Sequence, residues 1–114
     1  MRIIRGDIVI VNLNPSIGSE QGKIRPALVI QNDVGNEYSP TTIIAPITSK
    51  IFSKEFPTNV ILASKDSGLE KDSTILLNQI RTIDKSRVIK RLRSVDKKLM
   101  EKVNSAIKIS LDLE

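Results

Sequence analysis

Three segments of the chain gather residue types that can do chemistry. The first is Gly18-Ser19-Glu20-Gln21-Gly22-Lys23-Ile24-Arg25-Pro26. Its glycines permit unusual backbone angles. Pro26 stiffens the backbone behind Arg25, so the guanidinium can be aimed at an anion such as a phosphate. An ordinary solvated loop, with Arg25 paired to Glu20, is the alternative. The second segment is Pro46-Ile47-Thr48-Ser49, where Thr48 closes an apolar run. Its hydroxyl either donates to a phosphate oxygen or bonds its own loop. The third is Leu77-Asn78-Gln79-Ile80-Arg81. The amides of Asn78 and Gln79 suit base edges, and Arg81 suits a phosphate or a structural ion pair.

What these segments can do is bounded by what the chain lacks. There is no cysteine and no histidine. That removes disulfides, thiol nucleophiles, the commonest general acid–base group and the usual zinc ligand sets. Catalysis must rest on Arg, Lys, Asp, Glu, Ser, Thr or Tyr. The net charge is +5 and unevenly spread. Residues 81–98 hold eight basic and two acidic side chains, and the remainder holds ten basic against eleven acidic. Such a stretch is either a solvated face or an attractor for phosphate backbones and acidic segments.

The elements that must position these residues can be read from the apolar pattern. A chain of 114 residues is expected to form one domain, residues 1–114. Strands are expected at 7–13, 27–30, 42–47, 59–62, 73–77, 79–83 and 86–92, from short β-branched runs between turn signals. Residues 16–23, 32–40, 49–58 and 65–71 read as loops or turns. The 49–58 loop carries Phe52 and Phe56, either as exposed anchors or as core residues. From Asp96 the period changes. Leu99, Met100, Val103, Ala106, Ile107 and Leu111 fall on one helical face, with Ser94 or Asp96 as cap. Short strands followed by one packed helix predict a strongly curved antiparallel sheet or a small barrel. No run approaches the ~20 apolar residues of a membrane span. The apolar stretch after Arg2 and Arg5 is too short for a secretory signal. A cytoplasmic location is expected.

Taken in order, these motifs resemble the MazF/PemK family of toxin endoribonucleases. The resemblance rests on R-G-D (5–7), G-S-E-Q-G-x-x-R-P (18–26) and L-V-I-Q-N-D (28–33). It continues through S-P-T (39–41), P-I-T (46–48) and L-L-N-Q-I-R-T-I-D (76–84). It runs from about Arg5 to Leu111 and is nearest the Gram-positive members. It implies a CcdB/PemK-like fold, meaning a small SH3-like barrel with a C-terminal helix, in a homodimer. It also implies sequence-specific cleavage of single-stranded mRNA without metal or other cofactor. The ribose 2′-hydroxyl attacks, leaving a 2′,3′-cyclic phosphate and a 5′-hydroxyl. A MazE-like antitoxin with an acidic extended segment is the expected partner. Arg25 and Thr48 match the family's catalytic pair. Ile17, Ser19, Glu20, Asn78, Gln79 and Arg81 match RNA-contacting positions.

An internal nucleophile removes the need for an activated side chain on the protein. What remains is to stabilise a crowded anionic phosphorane and to move two protons. An arginine is almost always protonated, so Arg25 fits the roles of stabiliser and acid. The resemblance implies the arginine as both acid and base, and Glu20 is the alternative base. Relatives often carry an aromatic residue where this chain has Ile10 and Ile17, which removes a base-stacking surface worth ~1–3 kcal/mol. The same fold also serves non-enzymatic gyrase poisons of the CcdB kind, and that is the alternative function.

Overall fold

The computed structural model describes residues 1–114. Seven strands, β1 (Asp7–Asn12), β2 (Ile24–Val29), β3 (Thr41–Thr48), β4 (Asn59–Leu62), β5 (Ser73–Leu76), β6 (Arg81–Asp84) and β7 (Val88–Ser94), form one sheet. Three helices accompany them: α1 (Asp33–Tyr38), α2 (Ser64–Ser67) and α3 (Lys97–Ser110). The strand order is β4-β5-β3-β2-β1-β7. Every pairing is antiparallel. Strand β3 is shared along its length. Its first half pairs with β6 (Thr41 opposite Asp84) and its last two residues pair with β5 (Thr48 opposite Thr74). The expected curved sheet is therefore present, but it does not close into a barrel, because β4 and β7 remain as edges.

The runs in β1, β2 and β3 are continuously apolar because both faces of the sheet are covered. Ile8, Leu28, Ala45 and Ile47 pack on one side with Val60, Leu62, Ile75 and Leu77, beneath Met100, Val103 and Ala106 of α3. Val9, Val11, Ala27, Val29 and Ile44 face the other way and meet Ile3, Leu13 and Ile83. The pleat alternation sorts neighbouring residues into these two cores. Two register shifts between β1 and β7 bend the edge strand. Fully buried Asp7 holds it there, accepting from Ser94 Oγ at 2.6 Å and pairing with Arg91 Nε at 3.0 Å.

Several local expectations shift for identifiable reasons. Residues 32–40 were expected to be a turn, yet they hold α1. The Asn32 side chain accepts from the Gly35 N–H at 2.8 Å, and Pro40 disfavours continuation beyond Ser39. Six helical residues are too few to show a 3.6-residue period. The 65–71 turn overlaps the single-turn helix α2, which starts one residue earlier and is closed by Gly68 at φ +75°. Strand β2 starts at Ile24, upstream of Pro26, and so includes Arg25. Asp96, not Ser94, caps α3 by accepting from the Leu99 N–H at 2.8 Å. Leu111 lies past the last helical turn and is exposed, not packed. No helix is long and apolar enough to cross a membrane.

Candidate active site

Arg25 is the second residue of β2, opposite Val11 of β1. The loop before it folds back tightly: Leu13 N–H donates to Lys23 O at 2.9 Å and Lys23 N–H to Asn14 Oδ1 at 2.8 Å. Gly22 is forced by this packing, since a Cβ there would lie 2.3 Å from Ser16 Oγ. The same glycine orients the arginine. Arg25 Nε donates to Gly22 O at 2.7 Å, which commits one edge of the guanidinium and leaves both terminal amino groups free. Arg25 makes no ion pair, so the alternative pairing with Glu20 does not form. Burial pushes its pKa down from the ordinary arginine value.

Thr48 ends β3. Its Oγ1 accepts from the Lys50 N–H at 3.2 Å. The hydroxyl is thus used as an acceptor by its own loop, but its proton remains available. Thr74 Oγ1 donates to Lys50 O at 2.9 Å and secures that loop to β5. Arg25 and Thr48 line one cavity of about 480 Å³, together with Ser49, Glu70, Lys71 and Ser73. The strand pairing β2-β3-β5 brings these distant residues together.

Thr48 also borders a second recess, of about 410 Å³, shared with Ser19, Asn78, Gln79, Phe52 and Phe56. A third, of about 420 Å³, is lined by Ser19, Glu20, Asn78, Gln79 and Arg81. Because adjoining recesses share lining residues, they form one groove running from Arg25 past Thr48 to Arg81. Gln79 fastens the first loop to this groove: its Oε1 accepts from the Gln21 N–H at 2.8 Å. Asn78 is exposed beside it. Arg81 forms no ion pair and instead donates weakly to Leu13 O at 3.4 Å. Phe52 and Phe56 lie outside both cores, edge-to-face at 5.8 Å, with Lys50 Nζ 4.7 Å above the Phe52 ring.

Of the sequence candidates only Arg25 and Thr48 line the first cavity, and Glu20, Arg81 and Ile17 border no recess that Thr48 lines. Glu20 Oε1 accepts from the Ile17 N–H at 2.9 Å and borders the recess at the far end of the groove. Ile17 is 79% exposed and lines none of the three recesses. Much of the basic stretch is also occupied elsewhere. Arg87 donates to Asn12 O and Asn14 O, and Arg93 packs where a Gly68 Cβ would sit. Conversely, Glu70, Lys71 and Ser73 were not singled out from sequence. Nothing in a polar turn signals that β3–β5 pairing will place it beside Arg25.

Residues 4–111 match the model of the PemK-like, MazF-like toxins of type II toxin–antitoxin systems. The chain belongs to this family. It is 50% identical to endoribonuclease EndoA of Bacillus subtilis (strain 168) over 113 residues, covering 99% of this chain and 97% of that protein. It is 51% identical to endoribonuclease MazF of Staphylococcus saprophyticus over 109 residues, covering 96% and 91%. Among solved structures, MazF from Deinococcus radiodurans superposes with a TM-score of 0.84 at 26% identity, covering 99% of each chain. A mycobacterial endoribonuclease in complex with its cognate antitoxin shares the fold, with a TM-score of 0.81 at 21% identity over 98% and 97% of the two chains. This PemK/MazF-like chain therefore has its groove on a fold found intact in its relatives.

Proposed function

We propose that this PemK/MazF-like chain is the toxin of a type II toxin–antitoxin pair and a metal-independent endoribonuclease acting on single-stranded RNA. The observation that carries this reading is the convergence of Arg25 and Thr48 on one cavity at the end of a polar groove. The reaction is transesterification by the ribose 2′-hydroxyl, giving 2′,3′-cyclic phosphate and 5′-hydroxyl ends and stopping translation. Arg25 offers two amino groups to the non-bridging oxygens, and Thr48 offers one hydroxyl proton. Both are fixed before substrate arrives, so they stabilise developing charge with little reorganisation. A pKa lowered by burial makes Arg25 a better donor to the departing 5′-oxygen. Ser19, Glu20, Asn78, Gln79 and Arg81 supply polar contacts for flanking nucleotides, with Ile17 at the loop tip. The Phe52–Phe56 pair offers ring faces to an unstacked base. The gyrase-poison alternative is not favoured, because both half-identical relatives are named endoribonucleases.

The decisive test is cleavage of a long single-stranded RNA in EDTA, with sequencing of the new 5′ ends. Cuts at one short motif are expected, and a single 2′-deoxyribose before the scissile phosphate should block that cut. Cleavage that persists on the deoxy substrate would rule out the 2′-hydroxyl route. The chain acts in the cytoplasm, where mRNA is. It works as a homodimer held in check by an antitoxin whose acidic segment occupies the groove. Sedimentation at micromolar concentration should give roughly twice the 12.7 kDa chain mass. In the same cell, an acidic antitoxin segment should displace labelled RNA. A monomer peak, or simultaneous binding of both, contradicts these two points respectively.

A further inference from the structure

A 2′-hydroxyl attacks phosphorus only as it loses its proton, so the cavity that holds the scissile phosphate must also hold an acceptor. Arg25 is a poor one, since it would have to be neutral first. The carboxylates near the groove can be taken in turn. Glu20 is bound to the Ile17 N–H and faces the far recess. Asp72 is committed to the Ser64 N–H at 2.8 Å. The one acidic residue that lines the cavity with Arg25 and Thr48 is Glu70.

The chain around Glu70 is held on both sides. Upstream, Gly68 N–H donates to Ser64 O at 2.9 Å and Leu69 N–H to Ser67 Oγ at 2.9 Å, with Leu69 packed against the core. Downstream, Ser73 Oγ donates to Lys71 O at 3.1 Å where β5 begins. The Glu70 side chain itself is exposed and takes part in none of these bonds. An exposed carboxylate residue with no ion pair or hydrogen bond of its own thus borders the cavity that Arg25 and Lys71 also line.

We propose that Glu70 is the general base of the cleavage reaction. This rests on the endoribonuclease reading above. A Glu70 oxygen takes the 2′-hydroxyl proton as the O2′–P bond forms. The P–O5′ bond breaks, and the departing oxygen takes a proton from Arg25. Solvent then carries the proton from Glu70 back to Arg25, so the protein ends unchanged. Lys71 holds a non-bridging oxygen opposite Arg25. The 2′-oxygen and the scissile phosphate belong to one nucleotide, so a phosphate seated on Arg25 and Thr48 brings the 2′-hydroxyl into the same cavity.

The test measures wild type, Glu70→Gln and Glu20→Gln on one cleavable RNA, with kcat, RNA affinity and pH–rate profiles for each. Glu70→Gln keeps the side chain's size and lies on the surface, so a thermal melt should match wild type. Its kcat should fall about 10²–10⁴-fold with RNA affinity unchanged. The acidic limb of the pH–rate profile should flatten in this variant and persist in Glu20→Gln. A second substrate carries a sulfur in place of the 5′-oxygen, a better leaving group that relieves the need for an acid but not for a base. It should leave Glu70→Gln just as impaired. A Glu70→Gln rate within about threefold of wild type would overturn the proposal. So would rescue by the sulfur leaving group, or loss of the acidic limb in Glu20→Gln instead. Absence of cleavage by wild type overturns the endoribonuclease reading, and the proposal falls with it.

Discussion

Arg25→Ala should reduce kcat for RNA cleavage by about 10²–10³-fold, the effect of removing one preorganised donor at a developing oxyanion. The loss should appear in kcat and not in RNA affinity. Arg25 reaches only the scissile phosphate, whereas the contacts at Ser19, Asn78, Gln79 and Arg81 extend along the rest of the groove. Arg25→Lys should recover little. A lysine cannot present two amino groups in one plane while a third nitrogen bonds Gly22 O. Thr48→Ala removes a single hydroxyl and should cost no more than the arginine change, and Thr48→Ser should restore most of the rate. The double alanine variant should be less impaired than the product of the two single effects, because both side chains serve the same phosphorane. Single-turnover cleavage and filter binding on a noncleavable 2′-deoxy RNA separate the two quantities. An Arg25→Ala enzyme with near-normal kcat and weakened binding would make Arg25 a docking residue, not a catalytic one.

Much of this site was visible in the sequence because its parts are short and local. The Gly18–Pro26 stretch shows its glycines, its arginine and its stiffening proline side by side. Thr48 stands out as a hydroxyl at the end of an apolar run. The strands are legible for the same reason. β1, β2 and β3 are sandwiched between two cores, so their runs are apolar without interruption. Helix α3 is legible because fourteen residues repeat the 3.6-residue period several times.

The rest depends on contacts that no local pattern encodes. Glu20 suits the base role in sequence as a carboxylate in the loop that leads to Arg25, provided it reaches the 2′-hydroxyl. The loop conformation overrides that closeness: Ile17 N–H holds one carboxylate oxygen, and Glu20 borders the far recess instead of the Arg25 cavity. Glu70 is forty-five residues from Arg25 in sequence and shares its cavity only through the β2-β3-β5 pairing. Barrel closure was similarly out of reach. Whether β4 and β7 meet depends on the summed bend of seven strands, and the divided partnership of β3 with β5 and β6 is a tertiary choice.

That divided strand makes Ile47 the position where fold and site are most tightly coupled. Ile47 is fully buried, sits opposite Ile75 at the β3–β5 seam, and immediately precedes Thr48. It packs in the core that Leu28, Leu77 and Val103 complete beneath α3. Ile47→Ala should lower stability by about 2–5 kcal/mol, the lost transfer energy of the side chain plus the cavity left behind. Against a total of about 5–15 kcal/mol for an ordinary domain, that is a large share. In urea the midpoint should fall with the slope unchanged, since the surface exposed on unfolding is nearly the same. Ile17→Ala is the matching control. At 79% exposure it should shift stability by no more than about 0.5 kcal/mol. The folded fraction of Ile47→Ala should also cleave more slowly per molecule, because a slack seam lets Thr48 drift from the phosphate. A 1 Å misplacement can cost about 10²-fold. An Ile47→Ala protein with a wild-type urea midpoint would mean that this seam does not hold the core. A destabilised one with full per-molecule activity would mean that Thr48 is positioned by the Lys50 turn alone.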